Sequence, residues 1–412
     1  MKYQEKLRLI KKIFQEKKVN KKKFSYPLLT DGYSSSDLQE ASKILLSGKL
    51  TMSKTTKKFE KFFAKKIGTK YALMVNSGSS ANLLSLFCLI NPFKKKRLKK
   101  GDECLVPALC WSTSLWPVIQ AGLKPVFVDV NLETFTTDFN TIKKNITKKT
   151  KAVMILNVLG NCSEMEKIKR YLNKKKIYLI EDTCEALGSK YKKKFLGTYG
   201  DFGTYSFYYS HQITSGEGGM VVCNSKEDYN ILKSLRAHGW DREIKKNNSR
   251  EFNFINEGFN LRPLEVSAAI GLNQFRRLKK LKNIRKKNRN NLIKSITSSK
   301  KWSNQFSFFK PRKNLDPSWF GFPLMINKNK NFNKNRFLRY LNVNRIENRP
   351  IISGNFINQP AIKKYNIKFK KSDLKNCQEI EDRGFFIGLP TQILDKNKIN
   401  KITNLLLNVN NF

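Results

Sequence analysis

Histidine is scarce: the 412 residues include two, His211 and His238. Acidic residues are also few, 32 against 81 lysines and arginines, which gives a formal charge of +49. No apolar run approaches the ~18 residues that a membrane span needs. The N-terminal "MKYQEKLRLIKKIFQEKK" lacks the apolar core of a secretory signal. There are seven cysteines, and none falls in a C-x-x-C pair. Their number is odd and most lie inside apolar, strand-like runs. That argues against a disulfide framework, a metal site or an iron–sulfur cluster, and for buried thiols in a reducing compartment. The expectation is a cytoplasmic protein with no membrane span and no metal.

The missing acidic residues do not make a nucleic-acid-binding protein. Lysines are spread over nearly every helical face and loop, not gathered in one stripe, and no nucleic-acid-binding motif is present. A basic surface would still attract a nucleotide diphosphate.

Between about residues 70 and 225, apolar runs alternate with helical patterns. The runs are "YALMVNS", "ECLVPAL", "PVFVDV", "AVMILNV", "IYLIEDT", "GTYSFYY" and "GMVVCN". Several are apolar at consecutive positions, as in strands covered on both faces. Helical segments such as "SSANLLSLFCLI" and "SEMEKIKRYLNKKK" lie between them. This order predicts an α/β fold with a largely parallel sheet. After residue 262 a long helical stretch leads to a smaller unit containing "SWFGFPLMI", "NKNRFLRYLNV" and "RGFFIGLP". The expected division is an N-terminal helical segment over 1–30, a large domain over 31–265, and a linking helix with a small domain over 266–412.

Ligands of such sheets bind beyond the carboxyl ends of the strands. Five features stand there. "NSGSSAN" offers Ser79 and Ser80 at a helix start, either as caps or as anion ligands. Glu181 and Asp182 end the run "IYLIED". A carboxylate there could be a surface group, a cap or the partner of a cationic ring nitrogen. Trp111 could be core or could stack on a flat ring. The Ser206 hydroxyl could reach a phosphate. Asn260 leads into the long helix.

Taken together with "GDECLVPALCWSTS", "LIEDTCEALGSKYKKKFLGTYGDFGTYSF", "GEGGMVV" and "GFNLRPLEVSAAIGLNQ", these features resemble the DegT/DnrJ/EryC1/StrS sugar aminotransferases. That resemblance implies pyridoxal phosphate (PLP) chemistry on nucleotide sugars. It also implies fold type I, with a mostly parallel seven-stranded sheet and a smaller α+β C-terminal domain. Asp182 would then pair with the pyridine nitrogen and Trp111 would stack on the ring. Ser79, Ser80 and Ser206 would hold the phosphate, and Asn260 would reach the phosphate of a second subunit in a homodimer. Glu185 falls where the family has a glutamine near the ring hydroxyl.

In the family's aminotransferases, "SF" and three further residues lead to the lysine that forms a Schiff base with the cofactor. Here Ser206 and Phe207 lead at that spacing to His211. An imidazole cannot form that link but can transfer a proton. Histidine at this position resembles the sugar 3-dehydratase branch, in which pyridoxamine phosphate (PMP) supports loss of a C3 hydroxyl and L-glutamate restores the amine. The stretch "LRAHGWDREIKKNNSREFNFINEGFN", where that family's cluster cysteines would fall, has no cysteine, so no iron–sulfur cluster is expected. "LRAHGWDR" and "RPIISGNF" look like the cluster-free subgroup that acts on a GDP-linked 4-keto-6-deoxyhexose. His238 is either a substrate contact or a hydrogen-bonded structural residue. Arg349, with its forked donors, and Asn355 are candidate substrate ligands. Ser53 stands where the family's substrate loop has glycine, a departure that bears on sugar preference. The rival readings are an aminotransferase that borrows another lysine, a CDP- or dTDP-linked dehydratase, and a catalytically silent sugar-nucleotide-binding relative.

Overall fold

The computed structural model describes residues 3–16, 24–29, 32–244, 251–327 and 332–412. Each of the seven apolar runs supplies one strand of the main sheet. They are β1 (Tyr71–Val75), β2 (Glu103–Pro107), β3 (Lys124–Val128), β4 (Thr150–Leu156), β5 (Tyr178–Asp182), β6 (Phe202–Ser206) and β7 (Gly219–Cys223). The spatial order is β1-β7-β6-β5-β4-β2-β3. The pairings β6–β5, β5–β4, β4–β2 and β2–β3 are parallel. Only β7 runs against its neighbours β1 and β6.

The continuous hydrophobicity of these strands has a structural cause: both faces of the sheet are covered. In β1, Leu73 and Val75 join one apolar cluster, while Ala72 and Met74 join another. In β4, Met154 and Leu156 face one side, and Val153 and Ile155 face the other. The period of two in side-chain direction sends alternate residues into separate cores. The helices α1 (Lys54–Ile67) and α2 (Gly78–Ile90) lie on opposite faces, with Phe59 and Phe63 on one side and Leu84 and Leu89 on the other. Helix α3 (Ser112–Gln120) follows β2.

The long helix α4 (Glu265–Thr297) has 33 residues, a rod of roughly 50 Å. Its first half packs Ala268, Leu272 and Phe275 against α1. Its second half carries buried Arg285 and Asn288, which donate to the carbonyl oxygens of Leu389 and Pro390 at 3.1 and 3.0 Å. One helix thus anchors the C-terminal part to the main sheet. There a second sheet contains β8 (Phe306–Phe308), β9 (Gly321–Ile326), β10 (Asn348–Arg349) and β11 (Gly384–Gly388), in the order β8-β9-β11-β10 and all antiparallel.

The expected N-terminal helical segment needs correction. A helix covers Tyr3–Glu16, and 17–23 and 30 lie outside the described residues. Residues 24–29 are not helical: Tyr26 pairs with Ile346, and its hydroxyl donates to the Gly388 carbonyl at 2.8 Å. Pro27 explains this, because a proline disfavours helix at the residue before it.

Candidate active site

The carboxyl ends of β1, β4, β5 and β6 open on a cavity of about 440 Å3, closed on its far side by Phe320, Arg349 and Phe386 from around the second sheet. Seven of the residues singled out from the sequence line it: Ser79, Trp111, Asp182, Glu185, Ser206, His211 and Arg349.

The two acids at the end of β5 are separated by the pleat of the strand. Glu181 turns away and accepts hydrogen bonds from the backbone N–H groups of Gly197, Tyr199 and Gly200 at 2.8, 2.6 and 2.6 Å. It holds the loop before β6 and has no part in the cavity. Asp182 turns inward. Its Oδ2 accepts from Asn82 Nδ2 at 2.8 Å and from the Ser114 hydroxyl at 2.9 Å, and its Oδ1 accepts from the Cys184 N–H at 3.2 Å. Asn82 is itself oriented by the Thr204 hydroxyl, which donates to its Oδ1 at 2.6 Å. These are neutral donors, so the carboxylate is held in place with its charge available to a cationic partner.

At the start of α2, the cap is Ser77, whose hydroxyl accepts from the Ser80 N–H at 3.1 Å. A Cβ on Gly78 would stand 2.6 Å from Ser206 Cβ and 3.0 Å from Cys184 Sγ. Only glycine lets the helix come this close to the end of β6. The Ser79 and Ser206 side chains therefore share one wall with the positive end of a helix, which suits an anion. Trp111, just before α3, is 55% exposed and presents its ring to the cavity.

His211 sits in the loop between β6 and β7. Its backbone N–H donates to the Tyr208 carbonyl at 3.0 Å, and its ring meets Phe320 edge to face with centroids 5.0 Å apart. Its Nδ1 is buried with no hydrogen-bond partner. Burial, with Arg285 adding to it, pushes the imidazole down to about 3. The ring is neutral at working pH and can accept a proton.

Burial, with the nearby Asp182 charge adding to it, raises the Glu185 carboxyl to about 7, although the Leu159 N–H donates to it at 2.9 Å. Glutamate ordinarily ionises near 4.5. The unfolded chain thus loses this proton first, and stability falls as pH rises from 4.5 through about 7. Glu185→Gln keeps the acceptor and removes the ionisation. It is expected to stabilise the protein at pH 8 by on the order of 2 kcal/mol, with the gain vanishing at low pH. Urea midpoints at both pH values check this; an equal gain at both would contradict it.

Four sequence-derived site residues are not in the cavity. Ser80 is buried, and its hydroxyl donates to Asn76 Oδ1 at 2.6 Å, because the helix phase turns it inward while Ser79 stays exposed. Asn355 is 1% exposed, pairs through its backbone with Leu109 and donates to Gln378. It lies behind the wall and is not among the residues lining the cavity. His238 is exposed and lies 3.3 Å from the Arg262 guanidinium. Asn260 is exposed too, with its Oδ1 accepting from Arg262 Nε at 3.1 Å. The sequence reading missed Asn82, Ser114 and Asn157. The first two were legible as polar residues near the starts of helices that follow sheet strands. Asn157 directly follows β4, lines the cavity and has a buried Oδ1 without a partner among the described residues.

The model of the DegT/DnrJ/EryC1/StrS aminotransferase family matches residues 33–406. The chain belongs to this family. It is 36% identical over 375 residues to a GDP-4-keto-6-deoxy-D-mannose 3-dehydratase of Escherichia coli O55:H7, covering 88% of this chain and 95% of that protein. Among solved structures, it is similar to the E. coli GDP-4-keto-6-deoxy-D-mannose-3-dehydratase with bound hydrated PLP. The TM-score there is 0.87 at 35% identity, covering 93% of this chain and 99% of the other. It is also similar to a GDP-4-keto-6-deoxymannose-3-dehydratase with a trapped PLP-glutamate geminal diamine. That match has a TM-score of 0.85 at 34% identity and covers 93% of this chain and 100% of the other. The architecture is therefore that of the fold type I, PLP-dependent aminotransferases, while the resident histidine sets the chain apart from a lysine-bearing site.

Proposed function

We propose that this chain is a PMP-dependent dehydratase that removes the C3 hydroxyl of a GDP-linked 4-keto-6-deoxyhexose, with L-glutamate restoring the amine. One observation carries the reading: the cavity has His211 on its wall and no lysine among its described lining residues. The similar proteins named for this sugar, for PLP and for glutamate support it.

PMP, when bound, supplies an amine for the ketone and a conjugated ring that takes up electrons. The cavity fits such a group. Ser79, Ser206 and the first turn of α2, which Gly78 lets pack close to the end of β6, would hold the phosphate. Asp182, fixed by Asn82 and Ser114, would face the ring nitrogen. Trp111 would cover one face of the ring, excluding water, and a protonated Glu185 would donate to the ring hydroxyl as a glutamine does. His211 receives a proton on its neutral imidazole and then becomes the acid available to the departing C3 hydroxyl. Arg349 would bind a carboxylate or phosphate of a substrate. The overall exchange balances: the sugar loses one oxygen, and glutamate becomes 2-oxoglutarate and ammonia, giving up two electrons.

In this reading residues 31–265 bind the cofactor and 266–412 close the cavity. The protein acts in the cytoplasm as a homodimer, with the exposed Asn260 of each subunit reaching the other's phosphate site. The absence of a histidine–cofactor bond is directly testable. One equivalent of PLP, followed by borohydride and denaturation, should leave the wild-type chain at its unmodified mass. A stoichiometric phosphopyridoxyl adduct would contradict the reading.

A further inference from the structure

His211 stands between two cavities. Behind it lies a second one of about 290 Å3, lined from α4 by Arg277, Lys280 and Arg285. Arg285 is 2% exposed. Its Nε donates to the Leu389 carbonyl at 3.1 Å, and its Nη2 donates to the His211 carbonyl at 3.3 Å. Both acceptors are neutral. Elsewhere on the same helix, Arg277 is paired with Asp37 at 2.5 Å and Lys282 with Asp316 at 2.6 Å. Arg285 has no such carboxylate among the described residues, and burial alone lowers its guanidinium to about 10. It stays charged at neutral pH. A buried charge held only by carbonyl oxygens is costly, so its place beside the His211 loop calls for an account.

We propose that Arg285 is the positioning residue for His211: it fixes the loop through the carbonyl oxygen and repels a second positive charge from the imidazole. The inference rests on the reading of His211 as proton carrier. The other charged groups around the ring do not supply this effect. Asp182 and Glu217 face it from the front cavity and would attract a proton. Glu185 is neutral below about 7. Arg349 lies across the cavity and is engaged with Glu347 at 2.7 Å. At the back, the Arg277 charge is met by Asp37, and Lys280 is solvent-facing. Arg285 is the buried cation that touches the loop. Burial first, and the Arg285 charge in addition, keep His211 unprotonated, so the base is ready whenever substrate arrives and anionic ligands in the front cavity do not convert it into a spent acid.

The test follows the ring directly. The chain has two histidines, so protein labelled at histidine Cε1 gives two ring signals, and His238→Gln assigns them. In the PLP-loaded wild type, the His211 signal should stay neutral down to pH 5. In Arg285→Gln, which keeps a donor for the carbonyl and loses the charge, the protonated fraction at pH 5 should rise at least tenfold. In Arg285→Lys, which keeps the charge, it should stay near the wild-type level. Turnover should follow, with the acid limb of kcat moving up by about one pH unit in Arg285→Gln and returning in Arg285→Lys, at little change in KM. A merely structural role would lower kcat equally at every pH. An unchanged His211 signal in Arg285→Gln overturns the proposal. Should His211→Asn turn over normally while Arg285→Gln shifts the ring signal, the proton-carrier reading fails and the link between Arg285 and the ring stands.

Discussion

His211→Lys is expected to abolish removal of the sugar oxygen and to create the covalent cofactor link that the wild-type chain lacks. A lysine placed in this loop reaches the same cavity with a primary amine, which condenses with an aldehyde where an imidazole cannot. Borohydride should then fix one phosphopyridoxyl group per chain. The proton carrier would be displaced, and general acid–base groups contribute about 10²–10⁴-fold to rate. His211→Asn separates the two effects. It should keep cofactor binding, form no covalent link and lose at least about a hundredfold in turnover by the same reasoning. Deoxygenation at the wild-type rate in His211→Asn would remove the histidine from the chemistry.

Asp182→Asn should give the next largest loss. The carboxylate is oriented by Asn82, Ser114 and the Cys184 N–H, so the side chain of an asparagine would occupy the same place. Only the charge would be gone. Truncating one partner of a buried, hydrogen-bonded charge pair costs about 2–5 kcal/mol. The fall in kcat should be roughly 30-fold or more by that measure, with weaker retention of PLP on dialysis. Circular dichroism should be unchanged, since the neutral donors around the site keep an acceptor oxygen. A variant with wild-type turnover would mean that Asp182 faces no cationic ring nitrogen.

How much of this was legible in the sequence differs from residue to residue. The strands were readable because burial on both faces makes each a continuous apolar run, and all seven form the main sheet. Asp182 and His211 were readable because they end or follow such runs. The difference between Glu181 and Asp182 was not, since only the strand's pleat decides which one enters the cavity. Ser79 and Ser80 posed the same problem on a helix: adjacent positions differ by about 100° around the axis, and the phase depends on where Ser77 caps the turn. Asn355 was misread because its backbone bridge to Leu109 is a long-range contact. Arg285 was hidden for another reason. It lies in "RRLKKLKNIRKKNRNN", where basic residues are so common that nothing marks the one that folding buries.

In the proposed function, a histidine in place of the lysine turns an aminotransferase site into a deoxygenating one. The most direct measurement is the mass of the sugar nucleotide after incubating the purified protein with PLP, L-glutamate and GDP-4-keto-6-deoxy-D-mannose. The expected product is lighter by one oxygen, with 2-oxoglutarate and ammonia released in equal amount. A product carrying an amine in place of the ketone would contradict it.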